Sequence, residues 1–237
     1  MKVIKPSHEI VSLISKGGLE ELINIEDAGR TCYVSAPKNQ NDISEEDAHK
    51  NFVKKLIANG HESVLEHAVI SVRFICDRGV SHELVRHRLA SYSQESTRYC
   101  NYSKDKFGNE ITVIEPCFYA DRNEDDIIRI RDREFLQAGP KSSNITKQYV
   151  VWYNKCKAAE DGYFQLLELG ATPQEARAIL PNSLKTVIRM TANCREWRHI
   201  LKMRCAKDAH PQMRELMFPL LKELQSKIPV IFDDITE

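Results

Sequence analysis

The sequence predicts an α+β protein, and three observations carry that expectation. Strand-like and helix-like segments are interspersed without a regular βαβ rhythm, which argues against a parallel α/β sheet. Nine glycines form neither a G-x-G-x-x-G fingerprint nor a P-loop, so any bound nucleotide must be held by side chains and helix ends. At 237 residues the chain can bury a sizeable core as one domain, or at most two small ones.

The opening MKVIKPSHEIVSLIS reads as a first strand or two and lacks the long apolar region and cleavage site of a signal peptide. Asn24 is placed to cap a short helix running to about Tyr33, followed by a polar loop over 37–42. Asp42 with Glu45 forms a capping-box pattern for a helix over 43–59. Phe52, Val53, Leu56 and Ile57 line one face of it, and Gly60 stops it. Residues 67–76 alternate, with Ala68, Ile70, Val72 and Phe74 facing one way, so a strand is expected. Ser81 opens a short helix over 82–89, the stretch SYSQEST is too hydrophilic for core, and 111–114 is another strand. A long amphipathic helix covers 144–169, with Val150, Tyr153, Ala159, Phe164 and Leu167 among its apolar residues, and ends at Gly170. Thr172-Pro173-Gln174-Glu175 has an N-cap, Pro at N1 and Glu at N3, a strong helix start. A strand over 183–192 and helices over about 194–206 and 211–227 complete the chain.

Composition excludes some functions. Lys+Arg and Asp+Glu are both 34, so the formal net charge is 0 and no whole-surface affinity for nucleic acid or anionic membrane is expected. No apolar run approaches the roughly 18–20 residues that span a bilayer. The seven cysteines are odd in number and scattered, with no C-x-x-C pair, which fits reduced thiols in a cytoplasmic protein.

The unusual segment is 61–98. It holds His61, His67, His82 and His87 with Arg73, Arg78, Arg86, Arg88 and Arg98. Two guanidiniums flank an imidazole at 86–88, and a hydroxyl-rich loop then returns to a third arginine. Guanidinium forks match phosphate oxygens, and serine hydroxyls add donors, so this is an anion cradle. An isolated Arg-His-Arg is more often a solvated basic helix end; the Ser-Gln-Glu-Ser-Thr-Arg-Tyr continuation favours the cradle.

Arg86-His87-Arg88, then seven residues, then Ser96 resembles the signature of the flavin-dependent thymidylate synthases. Three further segments agree in order: Gly60-His61-Glu62-Ser63-Val64-Leu65-Glu66-His67, Ala176-Arg177-Ala178-Ile179-Leu180-Pro181, and Asn193-Cys194-Arg195 with the downstream Arg204. The resemblance spans about 25–218. It implies one domain over 1–237 with a mixed sheet and helices, a homotetramer with shared active sites, and reductive methylation of dUMP to dTMP. Methylenetetrahydrofolate would supply the one-carbon unit, and FAD the hydride after reduction by NADPH.

Carried over residue by residue, the resemblance assigns Ser63, Arg86, His87, Arg88, Gln94, Asn193, Arg195 and His199 to FAD. Glu83, Arg86, Gln94, Glu95, Ser96, Thr97, Arg98, Arg177 and Arg204 go to dUMP. Arg204 is the choice for activating the uracil, because a guanidinium stays protonated beside a developing anion. His61 takes a supporting role near the flavin. Glu83 stands where the family often has Gln, Gln94 where it often has Glu, Cys32 where it often has Ser and His199 where it often has Asn.

Other chemistries are weaker. Ser96 lacks a Ser-His-Asp setting and reads as a binder, and Cys100 reads as inert packing. A metal-dependent phosphohydrolase centred on His61, Glu66 and His67 is disfavoured, because an i,i+6 pair on an α-helix is about 120° apart and zinc pairs use i,i+4. No metal is expected. A non-catalytic RNA- or nucleotide-binding module lacks an aromatic stacking platform.

Overall fold

The computed structural model describes residues 1–35, 44–130 and 134–236. Its elements run β1 (Lys2–Ile4), β2 (Ser7–Ile10), α1 (Leu19–Tyr33), α2 (Glu45–Ala58), β3 (Val69–Asp77), α3 (Arg78–Leu84), β4 (Ala90–Gln94) and β5 (Thr112–Ile114). They continue with β6 (Ile127–Ile130), β7 (Phe135–Ala138), α4 (Asn144–Glu168), α5 (Pro173–Ala176), β8 (Lys185–Asn193), α6 (Cys194–Arg204), α7 (Pro211–Lys227) and α8 (Pro229–Phe232). One four-stranded sheet has the order β2-β3-β8-β4, β1 pairs with β5 in parallel, and β6 with β7 forms an antiparallel pair. Helices and sheet are mixed, as the sequence predicts. The backbone divides into two compact units, Met1–Ser7 with Ile75–Leu84 and Gln94–Ile188, and His8–Phe74 with Val85–Ser93 and Arg189–Glu237.

In the first unit α4 is the organising element. Tyr149, Val150, Tyr153, Cys156 and Tyr163 recur at helical spacing and are buried, the first three against Leu136 of β7 and the last two with Ile111 and Val113. Ser143 caps α4 by accepting from the Thr146 N–H at 3.2 Å, and Gly170 takes a positive φ of 93° just past its end. The expected capping box at α5 is present: the Thr172 N–H donates to Glu175 Oε2 at 2.7 Å, with Pro173 at the first turn.

In the second unit the alternation on β3 is borne out, with Ala68, Ile70, Val72 and Phe74 all buried. Trp197 of α6 is fully buried, its ring 6.3 Å from Phe74, and its indole N–H donates to the Ile70 carbonyl at 3.0 Å. Leu22 and Ile25 of α1 and Val53 and Leu56 of α2 are also core residues. Arg198 is 1% exposed and holds the chain end through a two-pronged pair with Asp234, at 2.5 and 2.7 Å, and through the Ile231 carbonyl.

Several local expectations are corrected. Asn24 lies inside α1 and does not cap it; the helix starts after Gly18, whose φ of 71° a side chain resists and whose Cβ would meet Ile228 at 2.4 Å. Ser44 caps α2, accepting from the Asp47 N–H at 3.1 Å, whereas the 37–42 loop and Asp42 lie outside the described residues. The helix expected over 82–89 is α3, four residues earlier, because Asp77 Oδ1 accepts from the Val80 N–H at 2.7 Å and starts it before Ser81 can. Part of the polar SYSQEST stretch is strand β4, half-buried in alternation. Glu62–His67 is a 3-10 helix, so the angular argument separating His61 from His67 does not apply there; two turns of such a helix still spread six residues by about 12 Å. The β6–β7 pair was not anticipated.

The Arg198 network generates a stability expectation. Asp234→Ala removes the two-pronged partner of a buried guanidinium, while the 49% exposure of Asp234 moderates the loss. Urea unfolding should show a drop of about 2 kcal/mol. An unchanged midpoint and slope would show that the pair contributes nothing to folding.

Candidate active site

In the second unit, the Arg86-His87-Arg88 motif lies beyond the end of α3, in the turn leading to β4. Arg86 and Arg88 are exposed and His87 is turned inward, 5% exposed. Arg204, the last residue of α6, donates from Nε to His87 Nε2 at 3.0 Å, and the Tyr92 hydroxyl donates to the His87 carbonyl at 2.6 Å. Glu196 Oε1 is 3.9 Å from Nδ1, and the His199 ring stands edge-on at 6.3 Å. Burial, then the Arg204 guanidinium, then His199 push the His87 pKa down to about 4. The imidazole is therefore neutral at pH 7, with Nε2 as its acceptor and the proton on Nδ1.

The same unit carries a cavity of about 520 Å³ lined by Glu62, Glu66, Leu89, Asn193, Arg195, Glu196, Arg198, His199 and Lys202. Arg195, His199 and Lys202 share the outward face of α6 at i, i+4 and i+7, the turn opposite Trp197. Asn193 caps α6, its Oδ1 accepting from the Glu196 N–H at 2.9 Å. Arg195 pairs with Glu66 at 2.7 Å. Ser63 and His61 line a smaller cavity of about 360 Å³ with Cys32 and Arg195.

In the first unit, the loop after β4 meets the segment after α4. Ser96 Oγ accepts from the Arg98 N–H at 3.3 Å, Arg177 Nη1 donates to Thr97 Oγ1 at 3.2 Å, and Arg98 Nε donates to Gln174 Oε1 at 3.1 Å. Both exposed guanidiniums thus border this loop, Arg177 on the Thr97 hydroxyl and Arg98 on the Gln174 amide, an arrangement able to take a phosphate. Gln94 is oriented by its neighbours. The Ser81 hydroxyl donates to the Arg78 carbonyl, so it must accept from Gln94 Nε2, at 3.0 Å; Thr186 Oγ1 accepts from the same nitrogen at 3.1 Å. With its NH2 engaged inward, Gln94 can offer a ligand a carbonyl acceptor, suited to N–H or O–H rather than phosphate.

The structure thus gathers Ser96, Thr97, Arg98 and Arg177, with Gln94 and Glu95, in the first unit. It places Ser63, Arg86, His87, Arg88, Asn193, Arg195, His199 and Arg204 in the second. Glu83 is half-buried on α3 in the first unit. The Glu95 carboxylate is engaged by Lys185 at 2.7 Å and by the Tyr102 hydroxyl at 3.5 Å, which limits what it can give a ligand. Sequence reasoning missed Lys185, Ser81, Thr186 and Gln174. Gln94 and Thr186 are 92 positions apart, and no local pattern announces such a pair. Burial and the Glu95 charge raise the Cys100 thiol above its ordinary pKa, the setting of a poor nucleophile. Among the described residues no group of three or more His, Cys, Asp or Glu is placed to hold a metal, and no helix is long and apolar enough to cross a membrane.

One unit thus carries a polar cavity lined by basic side chains and by Glu62, Glu66 and Glu196, and the other sets two exposed arginines beside a hydroxyl-bearing loop. The profile of the family described as "Thymidylate synthase complementing protein" matches residues 16–230. A flavin-dependent thymidylate synthase from Corynebacterium aurimucosum is 32% identical over 222 residues, 93% of this chain and 82% of that protein. One from Mycolicibacterium gilvum is 35% identical over 214 residues, 89% of this chain and 78% of that protein. The crystal structure of a UMP/dUMP methylase PolB from Streptomyces cacaoi bound with 5-Br UMP matches at a TM-score of 0.70 and 17% identity, covering 98% of this chain and 95% of that one. That likeness shows the fold. The chain belongs to the thymidylate synthase complementing protein family.

The neutral imidazole has a thermodynamic signature. Between pH 6.5 and about 4 the unfolded chain binds a proton at His87 that the native state refuses, so stability rises with pH across this window and is lost as pH falls through it. His87→Gln keeps an acceptor and cannot titrate. Melting temperatures measured from pH 7 to 4 should fall less steeply for this variant than for the parent; equal slopes would contradict a depressed His87.

Proposed function

We propose that the chain is a flavin-dependent thymidylate synthase, converting dUMP to dTMP with methylenetetrahydrofolate as one-carbon donor and NADPH as reductant. Membership of the family carries the reading, and the two-arginine cradle is the observation on this chain that supports it. FAD fits the residues present. The 520 Å³ cavity falls within the range of small-molecule sites, and its lining offers Arg195 and Lys202 to a pyrophosphate and Asn193 and His199 to the polar edge of a flavin, alongside the carboxylates of Glu62, Glu66 and Glu196. Ser63, Arg86, His87, Arg88, Gln94, Asn193, Arg195 and His199 are the residues assigned to it, with His61 in support. When bound, the flavin supplies hydride transfer.

The chain's own residues bind, orient and stabilise charge. Ser96, Thr97, Arg98 and Arg177 hold the dUMP phosphate, each charge-assisted bond contributing about 1.5–3 kcal/mol. Gln94 accepts from a sugar or base donor, Glu83 and Arg86 contact sugar or base, and Glu95 keeps the loop in place from its pair with Lys185. Arg204 stands beside the uracil and stabilises negative charge as electron density moves toward C5, which makes that carbon nucleophilic. Residues 1–237 act as one catalytic domain, assembled as a cytoplasmic homotetramer whose sites draw on more than one copy.

The test is dTMP formation by purified protein supplied with FAD, NADPH, methylenetetrahydrofolate and dUMP; absence of product under all flavin-loaded conditions would refute the proposal. Arg204→Ala should lower kcat by about 10²–10³ with FAD retained, and near-normal turnover would remove Arg204 from the mechanism. Arg88→Ala should lower the flavin content of the purified protein. Arg177→Ala should raise the KM for dUMP by roughly tenfold or more; an unchanged KM would take Arg177 out of the phosphate cradle.

A further inference from the structure

We infer that His87 is a positioning residue for Arg204: its buried, neutral imidazole accepts from Nε of that arginine through Nε2 and sets the plane of the guanidinium. The inference rests on the proposed action of Arg204 on the pyrimidine and adds to it the group that aims the arginine. Four observations in the second unit carry it. Of the three motif residues 86–88, His87 alone is turned inward. Its backbone is held by the Tyr92 hydroxyl at 2.6 Å, and burial with the Glu196 charge raises that phenol to about 12, so it remains a donor. Three groups of α6, Glu196, His199 and Arg204, lie around its ring. Finally, Arg204 is the last residue of α6, and the bond from His87 meets it at Nε, where the guanidinium joins its stem.

The chemistry of the pair decides its direction. A guanidinium has only donors, so the group that holds it must accept. A carboxylate in that place would accept equally well but would neutralise the arginine, weakening it as a stabiliser of charge on the uracil. A neutral imidazole accepts without cancelling the charge. Arginine has a long side chain with many rotamers, and a misplacement of about 1 Å at a reacting group can lower rate about 10²-fold.

The test uses the full-length, FAD-loaded protein with His87→Phe, His87→Gln, Arg204→Ala and the double variant His87→Phe/Arg204→Ala, with turnover expressed per bound flavin. His87→Phe should lower kcat by 10- to 100-fold while the KM for dUMP moves less than about threefold. His87→Gln, which returns an acceptor, should turn over at least tenfold faster than His87→Phe. The double variant should be no slower than Arg204→Ala alone, because one pathway has been cut twice. Normal kcat in His87→Phe, or losses that multiply in the double variant, would overturn the inference while leaving Arg204 in place. Wild-type turnover in Arg204→Ala would instead remove the reading on which it rests. A second measurement needs no activity: imidazole 15N shifts of the flavin-free protein should show Nδ1 protonated and Nε2 bare. A proton on Nε2 would exclude the bond and the inference with it.

Discussion

Trp197 is fully buried on α6, and its indole N–H reaches the Ile70 carbonyl of β3. Burying an aromatic ring of this size contributes a few kcal/mol, and the bonded N–H removes the cost of hiding a polar atom. The contact fixes the rotation of α6 about its axis. With Trp197, Ile200 and Leu201 turned to the core, Arg195, His199 and Lys202 must face the cavity. Asn193 starts the helix and Arg204 ends it, so both ends of one element supply the candidate flavin and pyrimidine residues. The Cys194 N–H bonded to the Ala68 carbonyl at 2.8 Å locks the turn where β8 becomes α6. Arg198, on the buried side, ties the chain end to the same helix.

Each unit uses its donors and acceptors economically. In the first unit, Ser81, Thr186 and Arg78 leave Gln94 only one way to point its amide. In the second, Arg204 leaves His87 only one tautomer. Both side chains are polar and at least half-buried, and each has its polarity chosen by a neighbour remote in sequence. Buried polar networks of this kind specify a single arrangement when every member is satisfied.

Much of the fold was legible where the cause is local. The alternation of Ala68, Ile70, Val72 and Phe74, the helical spacing of α4 and the Thr172–Glu175 box all act within a few residues, and all are present in the structure. Expectations failed where a competing local group or a distant partner decided. Asp77 outcompeted Ser81 as a cap, and strand β4 formed from polar residues whose hydrogen bonds run to α3, β8 and the 86–88 turn. The candidate site residues come from four ordered motifs that carry a family resemblance. Their division of labour was not: the burial of His87 between two exposed arginines depends on Arg204, 117 positions away.

The visible spectrum of the purified protein, with FAD added if it emerges colourless, tests the central claim most directly. A bound-flavin spectrum that bleaches with NADPH, faster when dUMP is present, is the expected result and would tie flavin and nucleotide to one reaction. Failure to bind FAD at any workable concentration would contradict it, leaving a nucleotide-binding protein without the chemistry.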